Sequence, residues 1–133
     1  MYKRIFLILI IILILIYFIL NKSSYHVSIE YSDVLEISYT QYLGEYKNIK
    51  YTDKNEIKNI VKKIKHVNFY YSSMNQLQES PTSSILIKYS NGNEKLIYIA
   101  GFNVFITNES KNGDIEEIGF FFINPISIKR IFK

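Results

Sequence analysis

A continuous apolar run near the N-terminus restricts the structure of this chain more than any other segment. From Ile5 to Leu20 the sequence reads IFLILIIILILIYFIL, without a charged residue. A helix of this length rises about 24 Å, against about 30 Å for the hydrocarbon core of a bilayer. Tyr2 and the aliphatic parts of Lys3 and Lys22 extend the span at the interfaces. The run therefore predicts a retained transmembrane anchor.

Two other kinds of segment also contain long apolar runs: cleaved signal peptides and the core helices of soluble proteins. A cleaved signal peptide has about 7–15 apolar residues and then a small-x-small site. Here Asn21, Lys22, Ser23 and Ser24 follow, and a cut after Ser24 would place Lys22 at a position that needs a small residue. A core helix of a soluble protein keeps a polar face, which this run lacks. Both remain alternatives to the anchor, whereas the absence of cysteine excludes a lipoprotein.

Positive charge next to the run predicts its orientation. Lys3 and Arg4 precede it, whereas Lys22 is followed by Glu30 and Asp33. Positively charged flanks stay in the cytoplasm. We therefore expect a cytoplasmic N-terminus at 1–4, a transmembrane signal-anchor helix at 5–20 and an extracytoplasmic domain at 21–133 of a bacterial cell membrane protein.

Composition limits the function of the outer domain. The net charge is +4 and no cysteine is present, which excludes a disulfide framework and thiol catalysis. The basic residues are not concentrated as nucleic-acid binding requires. We therefore expect no nucleic-acid partner.

Alternating and helical patterns predict an α+β fold. Residues 25–31, 34–42 and 45–51 read as strands. Asp53 and Glu56 form a capping box before an apolar stripe at Ile57, Ile60, Val61 and Ile64, so a helix should run to about His66. Strands at 84–90, 93–100, 102–107 and 115–123 then form an antiparallel meander that this helix covers.

Turn residues separate the meander strands. Asn91-Gly92 is the preferred pair of a type I′ turn, Gly101 permits a tight reversal, and Asn112-Gly113 marks a looser hairpin. Residues 126–132 fit either a last strand or a helical turn.

This order resembles a group of short, membrane-tethered or lipid-anchored extracytoplasmic proteins of Gram-positive bacteria that carry domains of unknown function. The similar stretches are TDKNEI at residues 52–57 and ILIKYSNG at residues 85–92. The resemblance implies the architecture and the surface location, and it supplies no catalytic residue, cofactor or metal ligand.

Residues suited to catalysis are few. His26 and His66 are the histidines; we expect His26 in the first strand and His66 at the helix end, near terminal carbonyls. Asp114, Glu116 and Glu117 lack the spacing of an EF-hand loop and are interpreted as a solvated hairpin end. We therefore predict no catalytic, cofactor-binding or metal site, and no enzymatic activity.

Two surfaces are candidates for interaction. Phe120, Phe121 and Phe122 are consecutive, so a strand directs them to opposite faces. Either both faces of that strand are covered, or one face is an exposed apolar patch for a partner. The lysines of the predicted helix, Lys58, Lys62 and Lys65, either meet anionic polymers or headgroups or form a solvated face.

The sequence thus predicts a non-enzymatic binding module at the cell surface, with a membrane protein, a peptide or a wall polymer as its partner. A small cell-envelope hydrolase and a protective, immunity-type protein are the alternatives.

Overall fold

The computed structural model of the chain describes residues 1–22 and 24–132, with the side chains of residues 20–22 left undescribed. Helix α1 runs Tyr2–Lys22 and has 21 residues, so it rises about 32 Å and matches the thickness of a hydrocarbon core. It is the one described helix that is long and apolar enough to cross a membrane. The predicted joint at 21–24 includes Ser23, which lies outside the described residues.

Residues 24–132 form one antiparallel sheet that carries two helices and a 3-10 turn. The sheet order is β1-β4-β8-β7-β6-β5-β2-β3. The strands are β1 Ser24–Tyr25, β2 Val34–Gln41, β3 Lys47–Tyr51, β4 Phe69–Tyr71, β5 Ser83–Tyr89, β6 Glu94–Ala100, β7 Asn103–Glu109 and β8 Ile115–Phe122. The helices are α2 Lys54–Lys65 and α3 Pro125–Lys129, and the 3-10 turn is Tyr31–Asp33. This confirms the α+β class and the meander, which is β5 to β8.

Helix α2 begins and ends where its sequence predicts. The Asp53 carboxylate accepts hydrogen bonds from the backbone N–H groups of Asn55 and Glu56, both at 3.0 Å, which satisfies donors that a helix N-terminus leaves unpaired. His66 is the C-cap. The apolar stripe is buried in the core: Ile57, Ile60, Val61 and Ile64.

One face of the sheet receives this stripe, and we call it the covered face. Residues opposite each other in adjacent antiparallel strands point to the same side, so the register identifies its members. Its buried side chains are Ile37, Tyr39, Ile85, Ile87, Ile97, Ile99, Val104, Ile106 and Phe121. β-branched residues, which favour strands, dominate this core.

Helix α3 covers the same face beside α2. The Asn124 side chain accepts a hydrogen bond from the Ile126 N–H at 3.1 Å, and Pro125 occupies the first turn, where its missing N–H costs nothing. The ring of Phe132 stacks on Tyr39 with centroids 4.5 Å apart. The segment 126–132, which the sequence left undecided, therefore begins as a helix and adds to the cover.

Residues 26–30 differ from the predicted strand. Only Ser24–Tyr25 pair with β4, because β1 lies at one edge of the sheet and β2 lies far across it, so the chain must leave the ladder at once. Val27 and Ile29 are each 2% exposed and belong to the core. The alternation thus correctly predicted the burial of Val27 and Ile29, but Tyr31, in phase with them, is 39% exposed, and the strand assignment was wrong beyond Tyr25.

The hairpin between β5 and β6 forms at Asn91-Gly92, although its turn type was predicted wrongly. A type I′ turn needs positive φ at both central residues. Among the described residues only glycines have positive φ, including Gly92 at +88°. The loop instead closes through the Gly92 N–H, which donates to the Tyr89 carbonyl at 3.0 Å, and through the Asn91 Oδ1, which accepts from the Asn93 N–H at 2.9 Å.

Candidate functional site

The three consecutive phenylalanines of β8 divide between the two faces of the sheet. Phe121 is 1% exposed and packs in the core, with its ring against Phe69 and Tyr25. Phe120 and Phe122 point to the opposite side, which we call the helix-free face because α2 and α3 both pack on the other one. Phe122 is 43% exposed.

A row of half-buried aromatic rings crosses the helix-free face. Tyr98, Phe105 and Phe120 are register partners on β6, β7 and β8. The rings of Phe105 and Phe120 stack at 4.4 Å, and those of Tyr98 and Phe105 lie 6.4 Å apart. Cross-strand aromatic pairs of this kind stabilise a sheet. They also give the face a rigid apolar centre, next to the half-buried Leu86 and Leu96.

The connection 72–82 lies along one end of this face. It joins β4 to β5 and so has to pass β8, β7 and β6. Glu79 reaches Gly101, since its carboxylate lies 3.9 Å from where a Cβ would stand at that glycine. The connection therefore follows the Gly101 end of the sheet and leaves the Asn91-Gly92 end without it.

Carboxylates border the aromatic row at the Asn91-Gly92 end. Glu94 and Glu109 are direct register partners, and like charges placed opposite each other destabilise a ladder. Glu36 forms an ion pair with Lys88 at 3.5 Å. Burial by itself raises the pKa of Glu36, but the Ser38 hydrogen bond and the charges of Lys88 and Lys50 bring that pKa below its ordinary value. With Glu117, these side chains form a mainly acidic rim, which also contains Lys88, the register partner of Glu94; we call it the acidic rim.

The covered face has its own polar end. Lys95 is 6% exposed and donates a hydrogen bond from its Nζ to the Asn108 Oδ1 at 2.7 Å. The Asn108 Nδ2 in turn donates to the Glu116 Oε2 at 3.4 Å. Burial lowers the pKa of Lys95, and Glu116 partly opposes this shift. These residues line a cavity of about 590 Å³ that also contains Tyr89. Its lining holds several carboxylates and the buried amine of Lys95.

The histidines lie apart from one another. The His66 ring bonds to the Lys62 carbonyl through Nδ1 at 2.7 Å, as expected of a residue at a helix end. His26 is exposed and follows β1 instead of lying within it. Within residues 1–22 and 24–132, no three His, Asp or Glu side chains are arranged to hold a metal ion.

The structure separates the three lysines that the sequence singled out. The Lys58 Nζ lies over the Tyr31 ring, 5.4 Å from its centroid, which is a cation–π contact. Lys62 lines a groove between α2 and α3. Lys65 is exposed outside that groove. Neither Phe120 nor Phe122 lines that groove, although Tyr70, the register partner of Phe122, does.

The groove between α2 and α3 is strongly basic. It measures about 760 Å³ and is lined by Lys62, Lys63 and Arg130, with Val67 and Ile131 as apolar lining. Its other lining residues are polar or aromatic: Asn59, His66, Asn68, Tyr70, Asn124 and Ser127. Among the residues that the structure describes, none that lines it is acidic.

Sequence reasoning missed Arg130 and the pair Tyr98 and Phe105. Arg130 became relevant only because α3 packs beside α2, and the sequence left that segment undecided. Tyr98 and Phe105 did carry a signal, since each alternates with buried aliphatic residues along its strand. That alternation is sufficient to place them on the side opposite Ile97 and Ile106.

Comparison of the chain with protein-family models, with curated proteins and with solved structures finds no match.

Proposed function

We propose that this chain is a single-pass membrane protein whose sheet domain, held outside the cell, is a non-enzymatic binding module for a cationic amphipathic helix of another polypeptide. The anchor is α1, whose length suits a bilayer and whose described side chains are exposed. Lys3 and Arg4 before it favour a cytoplasmic N-terminus.

The observation that carries the proposal is the helix-free face, with its aromatic row and its acidic rim. An apolar centre with a polar rim is the usual anatomy of an interface. On the covered face the same sheet already accepts α2, an amphipathic helix with lysines beside its stripe. A second such helix, supplied by a partner, completes a third layer, and its basic flanks offset the repulsion between Glu94 and Glu109.

A protective role is the second candidate, and the acidic rim favours it. Cationic amphipathic helices include peptides that insert into membrane interfaces. A domain tethered to the outer surface that captures such a helix keeps it from the bilayer. The interaction surface is the same in both cases, and only the origin of the helix differs.

The first test establishes topology. The chain has no cysteine, so Ser73→Cys in the exposed part of the 72–82 connection places one thiol on the domain. We expect a membrane-impermeant maleimide to label intact cells, with the full-length chain in the membrane fraction. Labelling only after lysis would place the domain in the cytoplasm, and a shortened, labelled chain in the medium would indicate a cleaved signal.

The second test addresses the face. The full chain in zwitterionic nanodiscs is mixed with a Leu/Lys amphipathic helix that carries a photo-crosslinker, and with a scrambled peptide of the same composition. We expect crosslinks to β6, β7 and β8 from the amphipathic peptide alone. Phe122→Glu should weaken binding about tenfold, and Leu43→Glu, a matched change at an exposed residue outside the face, should not. Equal binding of the scrambled peptide would refute the proposal.

A further inference from the structure

One wall of the groove between α2 and α3 lies close to the end of α1. Tyr70, which lines the groove, is the register partner of Ser24. Ser24 follows the last residue of α1 by two positions. Two residues span at most about 7 Å, and paired strands lie about 5 Å apart. One wall of the groove therefore lies within about 12 Å of the end of α1.

The apolar run ends at Leu20, two residues before the end of α1, so the boundary of the hydrocarbon core lies about 3 Å below that end. The polar headgroup layer beyond this boundary is about 5–8 Å thick on each side of a bilayer. Given the proposed anchor, this wall of the groove lies at the height of the headgroups or just above them. The groove is thus held close to lipid phosphates by the covalent connection alone, which raises their effective concentration at the site.

The charges in the groove suit those phosphates. Lys62, Lys63 and Arg130 line one space, and the ion pair Lys88–Glu36 is the one found among the described residues. The three groove cations therefore have no carboxylate partner in that part of the chain. Arg and Lys side chains are the usual ligands of phosphate, and three like charges brought together repel one another until an anion lies between them.

The apolar lining distinguishes a lipid from a free phosphate. Tyr70, which is 39% exposed, and the aliphatic stems of Lys62 and Lys63 supply most of this apolar surface. Val67 and Ile131 also line the groove but belong to the core and expose little of their surface. A phospholipid headgroup places a phosphate next to glycerol carbons and acyl chains, so it fits both parts of the groove. A phosphodiester in solution offers the charge with much less apolar surface.

We propose that the groove between α2 and α3 binds the phosphate headgroups of anionic phospholipids in the bilayer that anchors the chain. This inference rests on the proposed anchor. It gives the domain a second attachment besides α1 and thereby fixes its orientation on the membrane. Tyr98, Phe105 and Phe120 are not among the residues that line the groove, so the aromatic row stays available to a partner.

The test uses the full chain with Asn59→Cys, which places one fluorophore at the exposed wall of the groove. The chain is reconstituted into nanodiscs of phosphatidylcholine alone, or of phosphatidylcholine with phosphatidylglycerol, each with a trace of headgroup spin label. We expect quenching of the fluorophore to increase when phosphatidylglycerol is present. Raising salt from about 0.1 M to about 1 M shortens the Debye length from about 10 Å to about 3 Å and should reduce the quenching.

Two triple charge variants show whether the groove cations cause the phosphatidylglycerol-dependent quenching. Lys62→Gln, Lys63→Gln and Arg130→Gln together should abolish the phosphatidylglycerol-dependent quenching. Lys47→Gln, Lys50→Gln and Lys111→Gln remove the same charge outside the groove and should leave the quenching intact. All six side chains are exposed, so both variants should melt like the wild type. Equal loss in the two triple variants would indicate net charge alone and overturn the proposal.

Two further outcomes separate this proposal from the anchor. If the chain does not co-elute with nanodiscs, the anchor fails and the groove proposal fails with it. If the chain co-elutes but quenching is the same in both lipid compositions, only the groove proposal is overturned. Poly(glycerol phosphate) is added as a soluble competitor. Displacement of the fluorophore from the headgroups by this polymer would assign the groove to a soluble phosphodiester and overturn the lipid assignment.

Discussion

The two faces of the sheet are formed by the same strands but are stabilised in different ways. The covered face is lined with Ile and Val side chains that fill a core under α2, α3 and residues 26–30. The helix-free face places Tyr98, Phe105 and Phe120 in a stacked row, with the small side chains Ser38, Ser84 and Thr107 buried between larger neighbours.

The difference shows how a sheet is stabilised with and without a layer above it. Under a covering layer, aliphatic side chains gain from burial in proportion to their area. Without one, cross-strand contacts within the face must exclude water, and aromatic pairs do this well. A face built this way remains half-exposed, which suits it to a partner.

The largest expected effect is at the contact between α2 and the covered face. Ile60→Asp places a carboxylate in the core at a residue that is 5% exposed. An unpaired buried charge costs several kcal/mol, against a total stability of about 5–15 kcal/mol. We expect the domain to unfold, as seen by loss of the near-ultraviolet tyrosine signal. The exposed neighbour Asn59→Asp should melt like the wild type, and the same melt for both variants would show that α2 does not cover the sheet.

A pair of substitutions on adjacent residues of β6 compares the faces directly. Ile97 is fully buried on the covered face, whereas Leu96 is half-buried on the other. Ile97→Ala should lower the free energy of unfolding by about 2–5 kcal/mol. Leu96→Ala removes less buried surface and should cost about 1 kcal/mol. Urea unfolding measures both, and an equal loss would mean that a layer also covers the helix-free face.

Sequence patterns predicted the parts of the fold that depend on neighbouring residues. The cap at Asp53, the stripe of α2 and the strands of the meander are local, because each depends on residues within one turn or one strand. The conformations of residues 26–30 and of α3 depend instead on where neighbouring elements lie in the fold. The alternation of Val27 and Ile29 indicates burial equally well for a strand and for a segment that crosses a sheet.

The candidate surfaces divide in the same way: features that depend on local geometry were predictable from the sequence, and features that depend on the packing of distant segments were not. The alternation of Phe120, Phe121 and Phe122 follows from strand geometry alone. The grouping of Lys62 with Arg130 does not, because 68 positions separate them in the sequence (130 − 62) and only the packing of α3 beside α2 brings them together. Sequence also could not separate Lys58 from Lys62, since the partner of Lys58 is Tyr31 in a distant turn.

A last expected effect concerns the polar end of the covered face at high pH. Burial, with a smaller contribution from Tyr25, raises the pKa of Tyr89 from 10.0 to about 12. The folded state therefore holds this proton more tightly than the unfolded state. The stabilisation is complete below about pH 10 and is lost as the pH rises toward 12.

Tyr89→Phe has no such proton, so its urea midpoint should fall less over this interval than that of the wild type. Some decline should persist, since burial also raises the pKa values of Tyr25 and Tyr51. Tyr46→Phe, at a residue that is 65% exposed, is the matched control and should follow the wild type. If Tyr89→Phe declined as steeply as this control, the phenol would be solvated in the folded state. The cavity beside Lys95 would then be open to water, and the covered face would resemble the helix-free face at that end.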